Sequence, residues 1–91
     1  MTIEAKRILL VEDDRHLRHA CEASLRQSGF TVITAADGVE ALRAAVEESP
    51  DLILLDLLLP RMSGLDVLRG AKANPKTRGI PVLIISNSSR S

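Results

Sequence analysis

The sequence has no tryptophan and no tyrosine, and Phe30 is its sole aromatic residue. Base-stacking platforms and aromatic cages are therefore excluded as its main function. Cysteine is nearly absent too. Cys21 alone cannot close a disulfide within the chain, and no pattern of Cys and His has structural-zinc spacing. An excess of one charge is also lacking, with twelve basic and twelve acidic side chains and a formal net charge of zero. That balance excludes a role driven by bulk attraction to nucleic acid or to a membrane surface. The most apolar stretch, Leu52 to Leu59, is broken by Asp56 and is too short to cross a bilayer. Met1 to Arg7 carry no apolar segment of the secretory kind, so a reducing cytoplasm is the expected compartment.

What remains is a chain of 91 residues, 45% hydrophobic and 26% charged. Two domains would each be too small to bury a core, so one is expected. The composition is that of a folded chain rather than a disordered one.

Hydrophobic patterning divides the chain into alternating elements. Ile8-Leu9-Leu10-Val11 is an unbroken apolar run that suits a strand covered on both faces. Asp14 to Ser28 reads as a helix with Leu17, Ala20, Cys21, Ser24 and Leu25 along one stripe, and Gly29 as its stop. Phe30 to Ala35 is β-branched and more polar, as an edge strand would be. Asp37-Gly38-Val39-Glu40 has capping-box spacing and opens a helix expected to turn Val39, Leu42, Ala45 and Val46 inward. Ser49-Pro50 ends it. Leu52 to Leu55 is a second fully apolar strand, finishing at Asp56. After Pro60, Ser63 and Asp66 mark a third helix start, with Leu65, Leu68 and Ala71 as its inner stripe and Asn74-Pro75 as its end. Pro81 to Ile85 is the last strand. This βαβαβαβ order predicts an α/β fold: a doubly wound parallel sheet with right-handed crossovers and helices on both faces.

The acids fall at telling places. Glu12, Asp13 and Asp14 follow the first strand, and Asp56 ends the third. In doubly wound sheets ligands bind beyond the carboxyl ends of strands, where the winding reverses. With the second strand outside the first and the third on its other side, these acids share one crevice. Crowded carboxylates repel, and a bound divalent cation relieves that cost. A few carboxylates plus waters suit Mg²⁺ better than a Ca²⁺ cage. Asp14 is assigned differently, as the N-cap of the first helix.

Three segments now carry a resemblance. Ile8-Leu9-Leu10-Val11-Glu12-Asp13-Asp14, Asp56-Leu57-Leu58-Leu59-Pro60-Arg61-Met62-Ser63-Gly64 and Pro81-Val82-Leu83-Ile84-Ile85-Ser86 stand in an order and spacing similar to those of the receiver domain of bacterial two-component response regulators. The chain resembles this CheY-like family, with its flavodoxin-like fold, over its whole length. The resemblance implies that Asp56 is the phosphoacceptor, taking a phosphoryl group from a sensor histidine kinase or a histidine phosphotransfer protein. It implies Mg²⁺ held by Asp13, Asp56 and the backbone carbonyl of Leu58, with Glu12 acting through a coordinated water. Ser86 matches the family's Thr/Ser, whose hydroxyl bonds to a phosphoryl oxygen and reads out modification. Such a domain is a phosphoacceptor rather than an enzyme acting on other substrates, with at most self-phosphotransfer and autodephosphorylation.

The family pattern continues beyond this sequence. Helix 4, strand 5 and helix 5 have no counterpart in it, nor do the strand-5 Lys and switch aromatic. Lys72 and Lys76, near the end of the third helix, are no substitutes. Asn87 stands where a small residue is usual. The expectation is a receiver truncated after strand 4, whose apolar strand Val82 to Ile85 becomes an unprotected edge. A homodimer, or a partner that supplies the missing cover, is one expectation; the alternative is that the sequence is a fragment of a longer gene product. The expected partners include neither nucleic acid nor membrane. Arg15, His16, Arg18, His19 and Arg26 make the first helix basic, either as a solvated face or as a docking face for the phosphodonor. The second functional class is a non-phosphorylated dimerisation or partner-binding module. A Mg²⁺-dependent phosphotransferase or phosphatase ranks behind both, because no P-loop, dinucleotide glycine motif or general acid is evident.

Overall fold

Arg7–Val11 forms the first strand, β1, because four consecutive apolar residues can be buried only where both faces of a strand are covered. In the computed structural model, which describes residues 5–56 and 62–85, helix α1 (Arg15–Gln27) and strand β2 (Thr31–Ala35) come next. They are followed by α2 (Gly38–Glu48), β3 (Leu52–Asp56), α3 (Gly64–Ala73) and β4 (Val82–Ile85). The alternation read from the sequence is present, with β3 starting at Leu52 as expected and the other three strand starts shifted by a residue. Pro81 precedes β4 rather than opening it, while its carbonyl accepts a bond from the Ile53 N–H at 3.0 Å.

Each helix begins on a side chain that accepts one of the first unpaired N–H groups. Asp14, Asp37 and Ser63 accept from Leu17, Glu40 and Asp66 respectively, and such caps contribute about 1 kcal/mol each. The far end of α1 is closed by Gly29 at φ +98°, a left-handed geometry that favours glycine.

The sheet is wholly parallel in the order β2-β1-β3-β4. Winding therefore reverses between β1 and β3, which meets the condition under which the acids share one crevice. Val11 lies opposite both Ala35 and Leu55, so the next residues along β1 and β3, Glu12 and Asp56, emerge side by side. Strand alternation sends Leu9, Val11, Ile53 and Leu55 to one face, against Ala41, Ala45 and Val67 of α2 and α3. Ile8, Leu10, Val32 and Leu54 face the other way, toward Cys21 and Leu25 of α1.

The helix faces need correction. Val39 is 54% exposed and Leu65 51%, although both were expected to point inward. Ala45 and Ala71 are buried as expected, and Leu42 and Leu68 pack against the core, but the other buried positions are Gly38 and Ala41 on α2, and Gly64 and Val67 on α3. Small residues let the two helices approach closely: a Cβ added to Gly38 would stand 2.7 Å from the Val67 side chain and 2.8 Å from Met62 Sδ. That contact turns each helix so that its larger neighbour faces outward. In α1 no residue is fully buried. Cys21, expected in the core, is half-buried because α1 alone covers its side of the sheet among the described residues.

The connection before β4 is held from within. Buried Thr77 donates from Oγ1 to the Ala71 carbonyl at 2.6 Å, and Lys72 Nζ donates to the carbonyls of Arg78 and Ile80 at 3.1 and 3.2 Å. Lys72 is thereby fixed near the amino end of β4, away from Asp56.

β4 borders β3 on one side and has no other strand beside it among the described residues. Leu83, Ile84 and Ile85 are exposed, Leu83 by 55%.

Candidate functional site

The crevice is built where β1 runs out. The Glu12 N–H still donates to the Ala35 carbonyl at 3.0 Å, which extends the sheet ladder by one residue and fixes the start of the turn. The chain then rises through Asp13 into the Asp14 cap of α1. The Asp14 N–H donates back to Glu12 Oε2 at 3.0 Å, and Asp14 Oδ1 accepts the Leu17 N–H at 3.0 Å. Asp14 is thus an N-cap, as expected. Its carboxyl is held below the usual aspartate range by the Leu17 bond, with smaller help from His16 and Arg18.

Glu12, Asp13 and Asp56 converge. Each offers a carboxylate oxygen, and the three oxygens lie within 4.8 Å of one another. Asp13 is exposed, Asp56 half-buried and Glu12 only 8% exposed. Beside them lies a cavity of about 280 Å³ whose other walls are Leu10, Val11, Leu17, Cys21 and Ile85. This apolar surround explains the state of Glu12. Burial, first of all, pushes its carboxyl up to about 6, against the lowering effect of the Asp14 N–H. The negative charge of Asp56 and hydrogen bonds shared with Asp13 and Asp56 act in the same direction as burial.

A pH dependence follows. Between the ordinary 4.5 and about 6, the folded chain binds more proton at Glu12 than the unfolded chain does. Metal-free stability should therefore fall as pH rises through that window and level off above it. Denaturation midpoints at pH 4.5–7.5 in the presence of a chelator measure this. The slope should flatten in Glu12→Gln.

Three converging carboxylates with one buried member form an all-oxygen donor set of the kind that suits a hard divalent cation. Leu58 and Ser86, assigned to the site from the sequence, lie outside the described residues, as do Pro60 and Asn87. Arg18 was read from the sequence only as part of a basic helix face. Its guanidinium instead donates from Nη1 to the carbonyls of Glu12 and Asp13, at 3.0 and 3.3 Å. Its place one turn after the Asp14 cap was the available signal.

The model of the response regulator receiver domain matches residues 8–91. The chain belongs to that family. Among curated relatives, the transcriptional regulatory protein PrrA of Mycobacterium tuberculosis is 40% identical over 84 residues, which are 92% of this chain and 35% of PrrA. The DNA-binding response regulator MtrA of the same species is 42% identical over 81 residues, 89% of this chain and 34% of MtrA. The chain thus spans about a third of the length of these relatives. Among solved structures, the receiver domain of sensor histidine kinase PA1611 from Pseudomonas aeruginosa superposes with a TM-score of 0.86 at 34% identity. The match covers 96% of this chain and 72% of that one, which has a magnesium ion coordinated in its active-site cleft. Chemotaxis protein CheY4 of Vibrio cholerae gives a TM-score of 0.84 at 28% identity, covering 94% and 75% of the two chains. The receiver fold is therefore shared, and the described residues of this chain carry its first four strands and three helices.

Proposed function

We propose that this receiver domain accepts a phosphoryl group on Asp56 from the phosphohistidine of a sensor kinase or phosphotransfer protein, with Mg²⁺ as its cofactor. The observation that carries the reading is the convergence of Glu12, Asp13 and Asp56 where the sheet reverses its winding. A carboxylate oxygen of Asp56 forms a bond to phosphorus as the phosphorus–nitrogen bond breaks, and that bond's electron pair leaves with the imidazole. The product is an acyl phosphate. Asp13 and Asp56, with the Leu58 carbonyl, are the direct Mg²⁺ ligands in this proposal, and Glu12 acts through a water. When bound, Mg²⁺ neutralises the charge that would otherwise keep carboxylate and phosphoryl group apart. Ser86 supplies a hydroxyl to a phosphoryl oxygen. The buried ladder of β1 and β3 holds the acids in place, and the apolar wall of the neighbouring cavity limits water near the acyl phosphate. No described helix is long and apolar enough to cross a membrane, and a cytoplasmic site of action, facing a kinase's phosphohistidine, belongs to the same proposal.

Intact-mass measurement after incubation with Mg²⁺ and a small acyl-phosphate donor tests the reading. One phosphoryl adduct is expected on the wild type, and none in chelator or on Asp56→Asn. An unmodified wild type sinks it. The exposed β4 edge favours a second reading, a dimerisation or partner-binding module that uses Leu83, Ile84 and Ile85. Light scattering on the same samples separates the two: a concentration-dependent dimer without adduct supports the second, and a modified monomer the first.

A further inference from the structure

We propose that Arg18 is a positioning residue for the divalent-cation site, holding the main chain that presents Glu12 and Asp13. The inference rests on the reading of the three acids as a Mg²⁺ site. Half-buried on α1, Arg18 sends Nη1 to the Glu12 carbonyl at 3.0 Å and to the Asp13 carbonyl at 3.3 Å. Its own N–H donates to the Asp14 carbonyl at 2.8 Å. One residue thus engages the carbonyls of three consecutive residues, two of which supply carboxylates to the cluster. Other restraints on this turn are the Glu12 N–H bond to Ala35, the Asp14 N–H bond to Glu12 Oε2, the Leu17 N–H bond to Asp14 Oδ1 and the side-chain hydrogen bond between Glu12 and Asp13. None of these bonds engages the main chain of Asp13, the most exposed of the three acids, whereas the Arg18 guanidinium does.

Charge and geometry make opposite predictions for Arg18, so the role can be decided. A guanidinium near a cation site repels the cation, and removing it should strengthen binding if charge were all that mattered. If its main effect is to fix the Glu12 and Asp13 backbone, removing it should weaken binding, because carboxylates that must be ordered on binding lose affinity. Outer partners of metal ligands typically matter by about 10- to 100-fold. Lysine keeps the charge but replaces the planar fork with a point donor, so Arg18→Lys should recover only part of the loss.

Isothermal titration with Mg²⁺ on wild type, Arg18→Gln and Arg18→Lys provides the test, alongside metal-free thermal melts. The expected result is about tenfold weaker Mg²⁺ binding in Arg18→Gln, with a smaller loss in Arg18→Lys. A role confined to folding would shift the melts and leave the affinity of the folded chain unchanged, which would overturn the proposal. Equal or tighter binding by Arg18→Gln overturns it as well, in favour of simple repulsion. Should Arg18→Gln fail to fold, Arg18→Lys decides: wild-type affinity with unmoved Glu12 and Asp13 carbonyl ¹³C shifts rejects the clamp, and weaker binding with both shifts moved supports it. A wild type that binds no Mg²⁺ removes the site reading itself, and this inference with it.

Discussion

Asp13→Asn is expected to weaken Mg²⁺ binding by at least ten- to hundredfold while stabilising the metal-free chain. The first effect follows from the donor set. Glu12, Asp13 and Asp56 bring carboxylate oxygens within 4.8 Å of one another, and Mg²⁺ is bound by few carboxylates, so each counts heavily. Even outer-shell partners of a metal cost about 10- to 100-fold when removed, which makes that range a floor for a direct ligand. The second effect has the opposite sign because the same charges repel when no cation is present. Like charges this close repel, although solvent screens the part carried by the exposed Asp13. Part of that strain is already relieved by proton uptake at Glu12, whose carboxyl is pushed up to about 6. Asn at position 13 removes one charge from the cluster and keeps an oxygen that can accept from protonated Glu12.

Titration calorimetry gives the affinity, and chemical denaturation followed by circular dichroism gives the stability. With no tryptophan or tyrosine in the sequence, intrinsic fluorescence reports little. The two effects must appear together. Weaker binding without metal-free stabilisation would mean that the variant is damaged elsewhere, and unchanged binding would place the cation away from this crevice.

The sheet and its reversal point were legible because their signals are one-dimensional. Ile8 to Val11 and Leu52 to Leu55 are runs that only doubly covered strands accommodate. The intervening caps Asp14, Asp37 and Ser63 could be read from spacing alone. The acids were legible for the same reason, since topology carries any residue just past β1 or β3 to one crevice. Helix orientation was not. Val39 and Leu65 look like core residues by hydrophobicity, yet their inward places are taken by Gly38 and Gly64. What decides this is how closely α2 approaches α3 through Gly38, Met62 and Val67, a property of two elements together. Arg18 was harder to read: its bonds run to backbone carbonyls, and its place one turn after the Asp14 cap was the only signal.

Leu55→Ala is expected to destabilise the fold by about 2–5 kcal/mol, while Leu83→Ala should stay within about 0.5–1 kcal/mol. The two substitutions delete the same atoms from adjacent strands. Leu55 is wholly buried and sits in the cluster with Leu9, Val11, Ile53 and Val67, so its loss leaves a cavity under the α2–α3 face. A chain of this size has a total stability of about 5–14 kcal/mol, and such a loss consumes much of it. Leu83 pairs with Leu54 across the ladder but is 55% exposed, so truncation gives up little contact. Urea midpoints by circular dichroism at low protein concentration measure both. Repeating them at high concentration separates the single chain from an assembled one. If a second copy covers β4, Leu83→Ala becomes costly there, because a midpoint that rises with protein concentration reports binding to the folded state. A Leu83 effect as large as that of Leu55 at low concentration would instead mean that the β4 face is already buried within the chain.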